Sequence, residues 1–197
     1  GENPLGVIGS FVMDRLGIRN TLYTRKHAYM VHTLDDEILL DILKAMEKKK
    51  SVLLSCISRK NRNRHEITAV PLKIHCSVQT GRNYIVIYAL KQKRLLSVRL
   101  DSVISVKTLG EVSEFDKYCQ YYSENLRYLW GTSFGNTRKY GQTEHIHMEL
   151  IIDEDTELFV LKRLQREKRS GTVTRIAEGR DAFDIDVFDA IEASPWI

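Results

Sequence analysis

The histidines His145 and His147 are two residues apart, so on a strand both imidazoles point to one side, and Glu149 continues that side. Two imidazoles and a carboxylate form a donor set able to hold zinc. The same three residues are also the polar face of a half-buried strand that turns Ile146, Met148 and Leu150 inward. We read them as that face, and no metal and no cofactor is assigned. Carboxylates cluster at Asp153-Glu154-Asp155, directly ahead of a helical pattern, where they complement the helix dipole and cap the first turn. Cys56, Cys76 and Cys119 lack CxxC spacing and any neighbouring pattern that would activate a thiol. No nucleophile elbow, HExxH, phosphate loop or dinucleotide fingerprint occurs in its proper setting. No catalytic residue is assigned, and the expectation is a protein that binds rather than an enzyme.

What could bind is a polyanion. The 30 basic and 26 acidic residues leave a net charge of only +4, but the regional balance is uneven. Residues 48–107 carry 14 basic side chains against two acids, Glu66 and Asp101, whereas residues 111–159 carry 4 against 10. A basic block of that density draws phosphate-bearing partners, and exposed aromatics can stack bases. The cations Arg59, Arg62, Arg64, Arg82, Arg94 and Arg99 supply charge. Tyr84 and Tyr88, four apart on one strand, share a face and can supply a π-surface. A packing role for both tyrosines is the alternative, and His75 is read as a packed strand histidine.

The elements that must position these groups follow from local patterns. Thr33 reads as an N-cap before a helix over residues 34–49, with Asp35, Asp36 and Glu37 in its first turn and three lysines at its end. Leu39, Ile42, Leu43 and Met46 give it an apolar stripe. The period then changes to that of strands: Val52–Ile57, Ile67–Cys76, Tyr84–Leu90, Leu95–Leu100 and Val103–Leu109. Pro71 within the second of these implies an edge or a bulge. Five short strands with tight turns predict a small barrel that closes its own edges, with the basic residues on its rims.

Phe115, Tyr118, Tyr122 and Leu126 are at helical spacing, and Gly131–Asn136 forms a loop. A strand over residues 146–152, a helix from Glu154 to Arg166 and a hairpin turning at Gly179-Arg180 complete the chain. No run approaches the ~18 apolar residues of a membrane span. Three cysteines without a framework suit a reduced, cytoplasmic protein. The start, Gly1-Glu2-Asn3-Pro4, has neither Met nor a signal-peptide layout, which suggests a trimmed start or a missing upstream region.

The run from Leu34 to Leu109 resembles a WYL domain, the small Sm-like barrel of bacterial transcriptional regulators. The resemblance is carried by Leu39–Ala45, by Val70-Pro71-Leu72-Lys73-Ile74, by Gly81-Arg82-Asn83-Tyr84-Ile85 and by Val98-Arg99-Leu100-Asp101-Ser102-Val103. Asn83 and Ile85 stand where the family has Trp and Leu, while Tyr84 is kept. Leu96 and Ser102 stand at two of its arginine positions, and Arg99 and Asp101 are retained. Residues 145–197 are similar to the extension that follows many such domains, up to Pro195-Trp196 but without its last strand.

The resemblance implies an α+β protein: an Sm/SH3-like five-stranded barrel (residues 34–110) behind a helix, then a small α+β module (145–197). Residues 1–33 and 111–144 are the intervening linker segments. It further implies the effector-sensing region of a transcriptional regulator whose N-terminal helix-turn-helix is absent here. Such a region would bind single-stranded nucleic acid, DNA or RNA, or a small phosphate-bearing or nucleotide effector. Duplex DNA would be read by the absent domain, and a homodimer is the family expectation. Two further readings stay open: a stand-alone single-strand-binding accessory protein, and an interaction or dimerisation module without ligand.

Overall fold

The computed structural model describes residues 37–58, 62–77, 82–135 and 142–193. The expected Thr33 cap with Asp35 and Asp36, the segment 1–33, Arg59, Gly81 and the Pro195-Trp196 end lie outside the described residues.

Helix α1 (Glu37–Glu47) buries Ile42 and Ala45 and packs across the first sheet. That sheet contains β1 (Lys50–Ile57), β2 (Arg64–Ser77), β3 (Arg82–Ala89), β4 (Arg94–Arg99) and β5 (Val103–Glu111). All its pairings are antiparallel, in the order β4-β3-β2-β1-β5. β2 is long because its halves have different partners: residues 64–69 pair with β1, and 69–77 pair with β3. A register shift between Pro71 and Lys73 bends it there, so the proline occupies a bulge in a central strand. Alternation gives the sheet two apolar faces. Val52, Leu54, Ala69, Ile85 and Ile87 lie under α1, while Val70, Leu72, Val86 and Leu95 turn the other way.

Among the described residues no sheet closes, so the expected barrel is not borne out. β4 and β5 lie at opposite ends of the ladder order, and among the described residues no ladder joins them. A single 3₁₀ turn, Leu100–Ser102, carries the chain from β4 to β5 and buries Leu100 in the α1-side core. β5 then pairs with β1 through two register shifts. Helix α1, rather than a β4–β5 seam, covers the apolar interior. Burial of each fully covered Ile or Leu there contributes about 1.5–3 kcal/mol.

The opposite face is covered by α2 (Phe115–Asn125), with Phe115, Tyr122, Leu129 and Phe134 over Val70 and Val86. Lys49, in the turn between α1 and β1, spans to this helix through its ammonium on both oxygens of Asp116, at 2.8 and 2.7 Å. A second antiparallel sheet comprises β6 (Glu144–Ile151), β7 (Thr172–Ala177) and β8 (Arg180–Val187), in the order β6-β8-β7. Helix α3 (Glu154–Glu167) lays Leu161 and Leu164 on it, and a short helix α4 (Ala190–Ala193) follows. Asp153 caps α3 as its position predicts: its carboxylate accepts from Asp155 N at 3.0 Å and from the Thr156 hydroxyl at 3.0 Å.

The two sheets exchange aromatics. Trp130, from the stretch after α2, belongs to the second core, and Phe188, from the end of β8, belongs to the α2-side core. Phe188 N donates to Tyr128 O at 3.0 Å. Gly171 is left-handed (φ 83), and a Cβ there would lie 2.0 Å from Asp184 O, so only glycine lets the chain leaving α3 cross β8 this closely. No helix among the described residues is long and apolar enough to cross a membrane.

Candidate nucleic-acid interface

Register, not sequence proximity, assembles the candidate surface. Tyr84 on β3 is opposite His75 on β2 and opposite Arg99 on β4, so the three side chains form one row on the α2 side of the sheet. Arg82 is two residues before Tyr84 and Lys73 two before His75, which puts both on the same face. The bulge at Pro71 sets this phase: Leu72 enters the α2-side core, and exposed Lys73 pairs with Val86.

Helix α2 reaches the row through Tyr122. Its hydroxyl and His75 Nε2 share a 2.7 Å hydrogen bond, with the rings 5.8 Å apart. Burial lowers the pKa of His75, and Arg169 and Lys73 lower it further, so the imidazole is neutral at pH 7. Burial raises the Tyr122 hydroxyl, with Arg169 opposing. Arg169 lies on the segment leaving α3, so the second unit adds a cation to the field around this pair. Arg99 is held in a fork: its Nε donates to Asp101 Oδ1 at 3.0 Å and its terminal nitrogen to Oδ2 at 2.6 Å. Ser102 Oγ donates to Arg99 O at 2.6 Å and braces the same turn.

The structure brings Arg82, Tyr84 and Arg99 together but sets the remaining arginines elsewhere. Arg64 pairs with Ile57 at the opposite end of β2, and Arg62 precedes it in a left-handed turn (φ 55). From Arg64 to His75 the strand contour is roughly 36 Å. Arg94 is opposite Ala89, at the far end of the β3–β4 hairpin from Arg99. Tyr88 shares the face of Tyr84 but contacts Tyr118 and Tyr121 of α2.

The histidine pair is engaged across the second sheet. His145 Nδ1 is 3.1 Å from Asp186 Oδ1, and His147 Nδ1 is 2.7 Å from Asp184 Oδ1, each on its ladder partner. Hydrogen bonding to Asp184 raises the pKa of His147, and the same contact lowers that of Asp184. Arg180 holds Glu149 and lowers its pKa. Among the described residues no group of three or more His, Cys, Asp or Glu is arranged to hold a metal ion. Burial pushes the Cys56 thiol up to about 11 and also raises Cys119, the opposite of an activated nucleophile.

Sequence reasoning did not single out Asp101, Tyr122 or Arg169 for this surface. In the sequence Tyr122 is only one of four residues at helical spacing, and nothing there links it to a strand histidine 47 residues earlier.

No protein-family model and no curated sequence matches the chain. Among solved structures, it is similar to the proteasome accessory factor B/C (PafBC) of Arthrobacter aurescens, with a TM-score of 0.39 and 15% identity over 92% of this chain and 24% of that one. It is also similar to a CRISPR Cas-related protein, with a TM-score of 0.48 and 10% identity over 84% of this chain and 45% of that one. The chain thus spans about a quarter of the first and less than half of the second. At that overlap neither likeness carries an argument about what this chain binds.

Proposed function

We propose that this chain is the sensing part of a WYL-type bacterial transcriptional regulator, acting by binding rather than by catalysis. Its ligand would be single-stranded nucleic acid or another phosphate-bearing effector, received on the face of Arg82, Tyr84 and Arg99. The observation that carries this reading is the cross-strand row. A base can stack on Tyr84 while its phosphate meets cations on either side. Lys73 and Arg169 add to that field, and Arg169 makes the second unit sensitive to occupancy. A phosphate that displaces Asp101 from Arg99 exchanges one charge-assisted pair for another, which keeps the desolvation cost low. Occupancy would then shift the arrangement of the two sheets and any DNA-reading domain coupled to them.

The test is fluorescence anisotropy with labelled single-stranded RNA, single-stranded DNA and duplex DNA at two salt concentrations, using the wild type and an Arg82→Ala/Arg99→Ala variant. Engagement of ~4 phosphates predicts a log–log salt slope of roughly −3 for a single strand. Tight single-strand binding that the double variant loses supports the reading. Weak binding to all three, unchanged in the variant, overturns nucleic acid as the ligand and leaves a small-molecule sensor or a dimerisation module.

A further inference from the structure

A second binding feature lies at the other end of β3, where Tyr88 meets α2. Tyr88 stacks on Tyr118 with ring centroids 4.4 Å apart and planes 30° apart, and Tyr121 stands edge-on to Tyr88 at 6.0 Å and 85°. These rings, with Lys117, Gln120 and Glu124, line an open cleft of about 320 Å³. That volume suits a small ligand or a single protruding side chain. Tyr118 and Tyr121 are half-buried.

Three features give the cleft one electrostatic sign. Aromatic faces are the negative part of the ring quadrupole. Glu124 contributes a carboxylate, oriented by the Gln120 amide, which donates to Oε1 at 2.9 Å. Glu124 also lies in the last turn of α2, where the helix dipole favours cations. The ammonium among the lining side chains, Lys117, donates to Glu114 at 3.0 Å in an exposed pair that offsets its charge in part. Burial discourages ionisation of Tyr88, and the phenols of Tyr118 and Tyr121 add to this while Lys117 opposes it, so the Tyr88 hydroxyl can accept N–H donors.

We propose that the cleft of Tyr88, Tyr118 and Tyr121, closed on one side by Glu124, is a site for a guanidinium group. A planar cation can stack on a tyrosine face while it presents paired N–H donors to the Glu124 carboxylate. A spherical ammonium can satisfy only the first contact well. The site is separate from the phosphate-binding face and does not depend on it.

The experiment is an NMR titration of the full chain with methylguanidinium and with N-acetyl-arginine methylamide, with tetramethylammonium and acetate as controls. Both guanidinium probes should saturate and shift the ring resonances of Tyr118 and Tyr121. Equal saturation identifies the free guanidinium as sufficient, and stronger binding of the arginine derivative points to a peptide source. Tyr121→Ala should weaken binding about tenfold. The exposed changes Glu124→Gln and Lys117→Gln spare the core, so they keep the test valid if Tyr121→Ala unfolds. The first should weaken binding about threefold and the second should strengthen it by about as much. Failure to saturate, equal binding of tetramethylammonium, or weaker binding on Lys117→Gln would overturn the proposal.

Discussion

The α2-side face of the first sheet and the outer face of the second are built by the same rule and end with different character. In both, antiparallel register sets charged and aromatic side chains of neighbouring strands side by side. On the second sheet the partners cancel: His145 faces Asp186, His147 faces Asp184, and Arg180 holds Glu149. On the first, Lys73, Arg82 and Arg99 gather round His75, Tyr84 and Tyr122, and the sequence from 48 to 107 supplies only Glu66 and Asp101 as acids. Glu66 is paired with Ser55, well down β2 from this row. A face whose charges match internally is a seam that ties strands together. A face dominated by one sign is suited to an external counter-charge.

The largest effect that separates the two should come from the point where they meet. Gly171→Ala forces a Cβ into Asp184 O in a left-handed backbone and should cost about 3 kcal/mol, read as a lowered urea midpoint. Because Arg169 lies two residues earlier, the same variant should also weaken anion binding. An unchanged midpoint would mean that the chain leaving α3 does not press on β8.

Asp101→Asn releases Arg99 from its fork and should tighten binding of a single-stranded oligonucleotide about fivefold, read by anisotropy. Unchanged affinity would remove Arg99 from the binding face. Tyr122→Phe deletes the hydroxyl that His75 Nε2 contacts and should cost about 1 kcal/mol in denaturant unfolding. A neutral result would show that water replaces the hydroxyl.

The smallest effect is also the most direct contrast. Two histidines with the same ordinary pKa of 6.5 shift in opposite directions, His75 down and His147 up. The contribution of His147 is fully present below 6.5 and is lost as pH rises through its raised folded value. Asp184, with its pKa lowered, contributes above its unfolded value of 3.8 and loses that as pH falls through its folded value. Their contact is therefore strongest between those limits. His75 behaves in reverse: the neutral ring is the stable form, and stability falls as pH drops below 6.5 because the unfolded chain takes up the proton first. NMR titration of the two imidazoles should give midpoints on opposite sides of 6.5, and Asp184→Asn should move only that of His147. Coincident midpoints would erase the distinction between the faces.

Local signals made much of this legible. The capped start of α3 and the bulge at Pro71 depend on residues a few positions apart, and the structure agrees with both. The expected stripe of α1 holds for Ile42, Leu39 and Met46, whereas Leu43 is exposed and Ala45 is buried in its place. The shared face of Tyr84 and Tyr88 follows from the strand period alone, whereas Arg82, expected in the turn before that strand, is its first residue. Partners of His75, His145 and His147 lie 47, 41 and 37 residues away, at separations where no local pattern identifies them. The expected barrel failed for the same reason: alternation identifies strands but carries no information about whether β4 meets β5.

What the sequence by itself determined is therefore the set of elements, their buried sides and the excess of positive charge before residue 108, since those arise from side-chain period and composition. Only the tertiary structure decided which charges are matched. Matching depends on register between strands and on the approach of α2 and the α3 exit, and these are set by how whole cores pack together.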